Sequence, residues 1–107
     1  SGTKMRWMLD NVPAVRAAAE RGTLAFGTVE SWLVFKLTGG AAHITDASNA
    51  SRTLLMGLED AQFDEGLCDL FGVPRAALPG VVDMAGPLAA TDPALFGRAI
   101  PITGLAG

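Results

Sequence analysis

The chain has 107 residues, enough for one domain with a modest core that buries roughly 65% of the surface of its unfolded chain. Eight basic residues against eleven acidic ones give a net charge of −3 with no run of like charge, which disfavours a nucleic-acid or anionic-membrane surface and points to neutral small molecules or proteins as partners. Tyrosine is absent and only two tryptophans and five phenylalanines are present, so alanine and leucine supply the packing and favour close-packed helices.

No apolar stretch approaches the ~20 residues of a membrane span, and no signal peptide is recognisable. Cys68 is the only cysteine, so no intramolecular disulfide forms. Its neighbours Leu67, Leu70 and Phe71 predict a buried, unactivated thiol suited to a reducing cytoplasm.

In chain order, Thr3 is expected to cap a helix whose apolar face carries Met5, Met8, Leu9 and Val12 at three- and four-residue spacing. On that helix Lys4, Arg6 and Asp10 form a solvated face and Trp7 a core anchor. Pro13 opens a second, alanine-rich helix that Gly22 stops in the left-handed conformation. Thr23 to Phe26, apolar and bounded by Gly22 and Gly27, reads as a brief strand.

Thr28 caps the next helix, with Val29, Trp32, Leu33 and Leu37 as the predicted buried stripe and Gly39-Gly40 as its end. The helical spacing of Trp32 and Phe35 favours core burial over a sugar-stacking platform. Ala42 to Ile44 is expected to add a strand, with His43 as an edge residue. Thr45 to Thr53 (T-D-A-S-N-A-S-R-T) reads as a short polar helix whose leading hydroxyl and carboxylate groups meet unpaired amides.

Asp64 to Phe71 is a helix capped by Asp64 and stopped by Gly72, and Pro74 to Leu78 a single turn. Pro79 to Gly97, rich in glycine and proline, should run mostly irregularly apart from a turn at Pro93 to Phe96. Ile100 to Thr103 is expected as a buried strand opening into the glycine turn Gly104-Leu105-Ala106-Gly107. No P-loop pattern occurs, and His43 has no nucleophile or second histidine at metal-ligand spacing.

Three stretches carry a resemblance: the opening S-G-T-K-M-R-W-M-L-D-N, the helix G-T-V-E-S-W-L-V-F-K-L-T-G-G and T-D-A-S-N-A-S-R-T. Together with the closing I-T-G-L-A-G they make the chain resemble the FGGY family of sugar and polyol kinases, within it the members that phosphorylate glycerol. The resemblance spans all 107 residues. It implies an α/β fold, residues 1–107 being the distal part of the N-terminal ribonuclease H-like, actin-type ATPase domain, mainly helices with a few short strands. It also implies an internal piece that begins just after a tyrosine touching the polyol and stops just before the catalytic aspartate.

The implied parent reaction is ATP-dependent phosphorylation of glycerol to sn-glycerol 3-phosphate, with ATP and Mg2+ held by parts outside the chain and the isolated piece inactive. Ser1, Asp46, Asn49, Arg52, Gly104 and Gly107 are the implied cleft-flanking residues. Helix capping and domain packing are the alternative roles of Asp46, Asn49 and Arg52. Gly97 and Arg98 correspond to an allosteric sugar-bisphosphate loop, although the arginine stands one position early. Glycerol, the remainder of the kinase and further copies of the same chain are the expected partners. The alternative reading is a small acidic helical module that binds a protein through its Trp/Met face.

Overall fold

The computed structural model describes residues 2–107, so the expectation for Ser1 lies outside the described residues. Helix α1 (Gly2–Asn11) turns Met5 and Leu9 into the core and leaves Lys4 and Asp10 in solvent. Thr3 lies inside this helix instead of capping it. Trp7 is 60% exposed, contrary to expectation, because it lies two residues from both Met5 and Leu9, off the buried face. The closing carbonyls of α1 are satisfied by Asn11 Nδ2, which donates to the Trp7 carbonyl (2.9 Å), and by Arg16 Nε, which donates to that of Leu9 (3.1 Å).

Helix α2 (Pro13–Arg21) starts on its proline and ends at Gly22, whose φ of 71° and bonds to the Ala18 and Ala19 carbonyls are those of a left-handed stop. Thr23 to Phe26 forms no strand. Phe26 nevertheless enters the core, and its amide donates to the Ala77 carbonyl at 2.7 Å.

Helix α3 (Val29–Leu37) has the expected span but the opposite orientation. Ser31, Val34 and Thr38 are buried, whereas Val29 (74%), Trp32 (60%) and Leu33 are exposed. Apolar side chains surround this helix on nearly every side, so periodicity has no polar face by which to choose the inner one.

Strand β1 (Ile44–Asp46) begins two residues later than expected and runs into α4 (Ala47–Ala50), followed by a 3-10 turn, Ser51–Thr53. Helix α5 (Glu65–Phe71) is capped by Asp64 Oδ1, which accepts from the Leu67 amide at 2.8 Å, and is stopped by Gly72 at a φ of 64°. A second 3-10 turn, Arg75–Ala77, fulfils the single turn expected there.

The stretch expected to be irregular contains two strands, β2 (Gly80–Val82) and β3 (Ala85–Ala90), before the short helix α6 (Pro93–Phe96). β2 pairs in parallel with β1, aligning Ile44 with Gly80 and Asp46 with Val82. β3 pairs antiparallel with β4 (Pro101–Gly104), and the register shifts between Ala85 and Ala89. Gly86, at a φ of 132°, and Pro87 fall inside that shift, so the residues that signalled disorder of the ladder build a bulge within it. β4 is displaced one residue from expectation and is exposed rather than buried, since nothing covers its outer side among the described residues.

One core joins α1, α5 and the segment from Ala50 to Leu78, with Met5, Leu9, Phe26, Leu55, Phe63, Cys68, Val73 and Leu78 at its centre. The body is a slab of 41 × 33 × 17 Å with a radius of gyration of 14.4 Å, looser than the about 13 Å of a compact domain of this length. Burial pushes the Cys68 thiol above its ordinary value of 9.0, offset in part by the Arg75 charge and reinforced by Asp64, Asp69 and Glu65. A thiol reagent at neutral pH is therefore expected to label Cys68 only in denaturant. Rapid labelling of the native chain would contradict this burial.

Candidate functional site

Two of the polar groups that the sequence singles out, Asp46 and Asn49, meet where β1 runs into α4. Asp46 is 0% exposed and closes the start of α4: Oδ2 accepts from the Ser48 amide at 2.7 Å, Oδ1 from the Asn49 amide at 3.2 Å, and the Ser48 hydroxyl also donates to Oδ2. Behind it, Glu30 Oε2 accepts from Thr45 Oγ1 at 2.8 Å and from the Asp46 amide at 3.2 Å. Burial pushes the Asp46 carboxyl up, but the bonds from Ser48 and Asn49, with Glu30 alongside, outweigh it and hold the group below its ordinary 3.8.

Ser48 Oγ also accepts from the Gly107 amide at 2.8 Å, a contact between residues 59 positions apart. A Cβ added at Gly107 would sit 3.1 Å from the Asn49 amide nitrogen and 3.2 Å from its Cα, so the turn lies against the backbone of α4 at a distance that suits glycine. The structure thus brings Asp46, Asn49 and Gly107 together.

Arg52 is exposed on the 3-10 turn and makes no side-chain hydrogen bond among the described residues. Gly104 lies at the end of β4, paired with Ala85. Gly97 ends α6 in the left-handed conformation, and Arg98 beside it is exposed.

Two participants escaped the sequence reading. Glu30 lay hidden on a helix read as pure packing. Ser48 was passed over between Asp46 and Asn49, although a hydroxyl two residues after a capping aspartate is a recognisable signal.

A second concavity, of about 390 Å3, lies between the Ala25–Thr28 segment and the outer face of α3. Trp32 and Phe35 stack there with ring centroids 6.4 Å apart, and the Lys36 ammonium stands 5.2 Å from the Trp32 ring centroid. His43 Nε2 meets the Phe26 carbonyl at 2.7 Å. The Ser31 hydroxyl lines this space, buried and unpaired. The described residues contain no group of three or more His, Cys, Asp or Glu side chains placed to hold a metal ion, and no helix among them is long and apolar enough to cross a membrane.

All 107 residues match the model of the N-terminal domain of the FGGY family of carbohydrate kinases. The chain belongs to this family. FGGY relatives that it resembles include glycerol kinases of Brucella ovis, 53% identical, and Rhodospirillum rubrum, 59% identical; each alignment covers the whole chain and 22% of the relative.

Among solved FGGY structures, Plasmodium falciparum glycerol kinase with ADP superposes with a TM-score of 0.90 at 34% identity, covering 97% of this chain and 21% of that one. Xylulose kinase from Rhodospirillum rubrum superposes at 0.79 and 24% identity, covering 98% of this chain and 22% of that one, and shows the shared fold alone. The α/β slab is thus the sugar-kinase, actin-type fold, and the chain spans about a fifth of the length of the glycerol kinases it matches.

Proposed function

We propose that the chain is the distal part of the N-terminal domain of a cytoplasmic, homo-oligomeric enzyme that transfers the γ-phosphoryl group of ATP to glycerol, giving sn-glycerol 3-phosphate. The observation that carries this is the 53 to 59% identity to glycerol kinases over the entire chain. The slab shape supports an incomplete domain, and the apolar outer face of α3 supports a covering layer from the remainder of the enzyme.

Magnesium-bound ATP supplies the phosphoryl group in this reaction class. Among the described residues no carboxylate cluster is placed to hold a metal ion, and no step of the transfer is assigned to them. Their contribution is positional: Asp46, Asn49, Arg52 and the Gly104–Gly107 turn flank the cleft, and the Gly97–Arg98 loop is a regulatory surface. In this reading the turn leads into the carboxylate that removes the proton from the attacking hydroxyl.

Phosphoryl transfer depends on simultaneous positioning of nucleotide, acceptor and base, so the isolated 107-residue chain is expected to show no glycerol-dependent ADP release above a no-protein control. The full-length protein, assayed with glycerol, xylulose and gluconate, is expected to favour glycerol in kcat/KM by at least about ten-fold. A preference for either other substrate overturns the reading.

A further inference from the structure

We propose that Ser48 is a positioning residue for catalysis: its hydroxyl locks the Gly104–Gly107 turn onto the start of α4 and so fixes where the chain goes next. The inference rests on the kinase reading above, because only there does the turn face the reacting groups.

Serine carries one proton and two lone pairs. Here the proton goes to Asp46 Oδ2, which leaves the lone pairs free to accept the Gly107 amide at 2.8 Å. Donation to an ionised carboxylate polarises the hydroxyl and strengthens it as an acceptor. Asp46 cannot rotate away, because its two oxygens also hold the Ser48 and Asn49 amides and its own amide is held by Glu30 Oε2.

Orientation therefore runs from α3 through Glu30, Asp46 and Ser48 to Gly107, joining the β1/β2 sheet to the chain that leaves the β3/β4 sheet. At the other end of the turn, the Leu105 amide donates to the Met84 carbonyl at 2.9 Å. The turn is thus held at two points. Ser48 provides the one nearer to the onward chain, and the absent Cβ of Gly107 permits its approach.

The test uses the full-length protein and three variants, Ser48→Ala, Ser48→Thr and Gly107→Ala, with kcat, KM for glycerol, melting temperature and exchange of the Gly107 amide measured for each. A misplaced reacting group costs rate more than affinity. Ser48→Ala and Gly107→Ala are therefore expected to lower kcat by about ten- to a hundred-fold with KM within about three-fold of the parent value. Ser48→Thr, which keeps the hydroxyl, should recover most of the loss, and exchange at Gly107 should quicken in Ser48→Ala.

An unchanged kcat in Ser48→Ala, or a loss in Ser48→Thr as large as in Ser48→Ala, overturns the proposal. So does a kcat loss that merely follows a fall in melting temperature. If the unmodified protein fails to phosphorylate glycerol, the kinase reading falls. The exchange rate at Gly107 still decides between a turn held by Ser48, with exchange faster in Ser48→Ala, and one that is not, with exchange unchanged.

Discussion

Replacing Asp46 with alanine is expected to destabilise the chain by about 2–4 kcal/mol, combining the loss of a helix cap with donors left unpaired in a buried site. Against the roughly 5–15 kcal/mol of a typical domain, that is a large fraction, and urea unfolding would show a lower midpoint at an unchanged slope. Asp46→Asn keeps the shape and one acceptor oxygen but presents an amide to the remaining donors. It should fall between the alanine variant and the parent. A midpoint for Asp46→Ala within error of the parent would contradict the role given to this carboxylate.

The pH dependence of that loss has a definite direction. The carboxyl is held below its ordinary 3.8 in the folded chain, so its contribution is fully present above that pH and disappears as the pH falls through the lowered folded value. The advantage of the parent over Asp46→Asn should therefore be constant from neutrality to about pH 5 and shrink below pH 3.8.

Leu55→Ala is expected to be as damaging through a different cause. Leu55 is 0% exposed and is the largest fully buried side chain. Its Cδ2 would lie 3.3 Å from a Cβ built at Gly2, so α1 packs directly on it. Truncation combines lost transfer free energy with a cavity that a slab only 17 Å thick has few layers to fill, a loss of about 2–5 kcal/mol and roughly ten degrees or more in melting temperature. Leu58, 97% exposed three residues on, is the natural control, and its alanine variant should lie within about 0.5 kcal/mol of the parent. Equal effects at the two positions would mean that the core is misplaced.

The features legible in the sequence are those whose chemistry is local. Pro13 and Gly22 bracket α2, and Asp64 and Gly72 bracket α5, because a ring-fixed φ, a left-handed glycine and a carboxylate facing free amides act within a few residues. The strands depend on partners far along the chain. β2 needs β1, 36 positions away at Ile44↔Gly80, and β3 hides behind Gly86 and Pro87, which read as breakers until the bulge that uses them is seen.

α3 shows a third limit. Its length was readable from Thr28 and Gly39-Gly40, but its inner face carries Ser31 and Thr38 while Trp32 faces out, a choice made by tertiary packing against β1. The candidate site divides in the same way. Asp46 announced itself as a cap, whereas its link through Ser48 to Gly107 spans 59 positions and leaves no local trace.

The most direct measurement of the whole account is the identity of the product formed by the full-length protein from glycerol, ATP and Mg2+, followed by phosphorus and proton NMR. Glycerol phosphorylated on one terminal hydroxyl, as sn-glycerol 3-phosphate in step with ADP, is the predicted result. ADP accompanied only by free phosphate, or no glycerol phosphate where a sugar is phosphorylated readily, would contradict it.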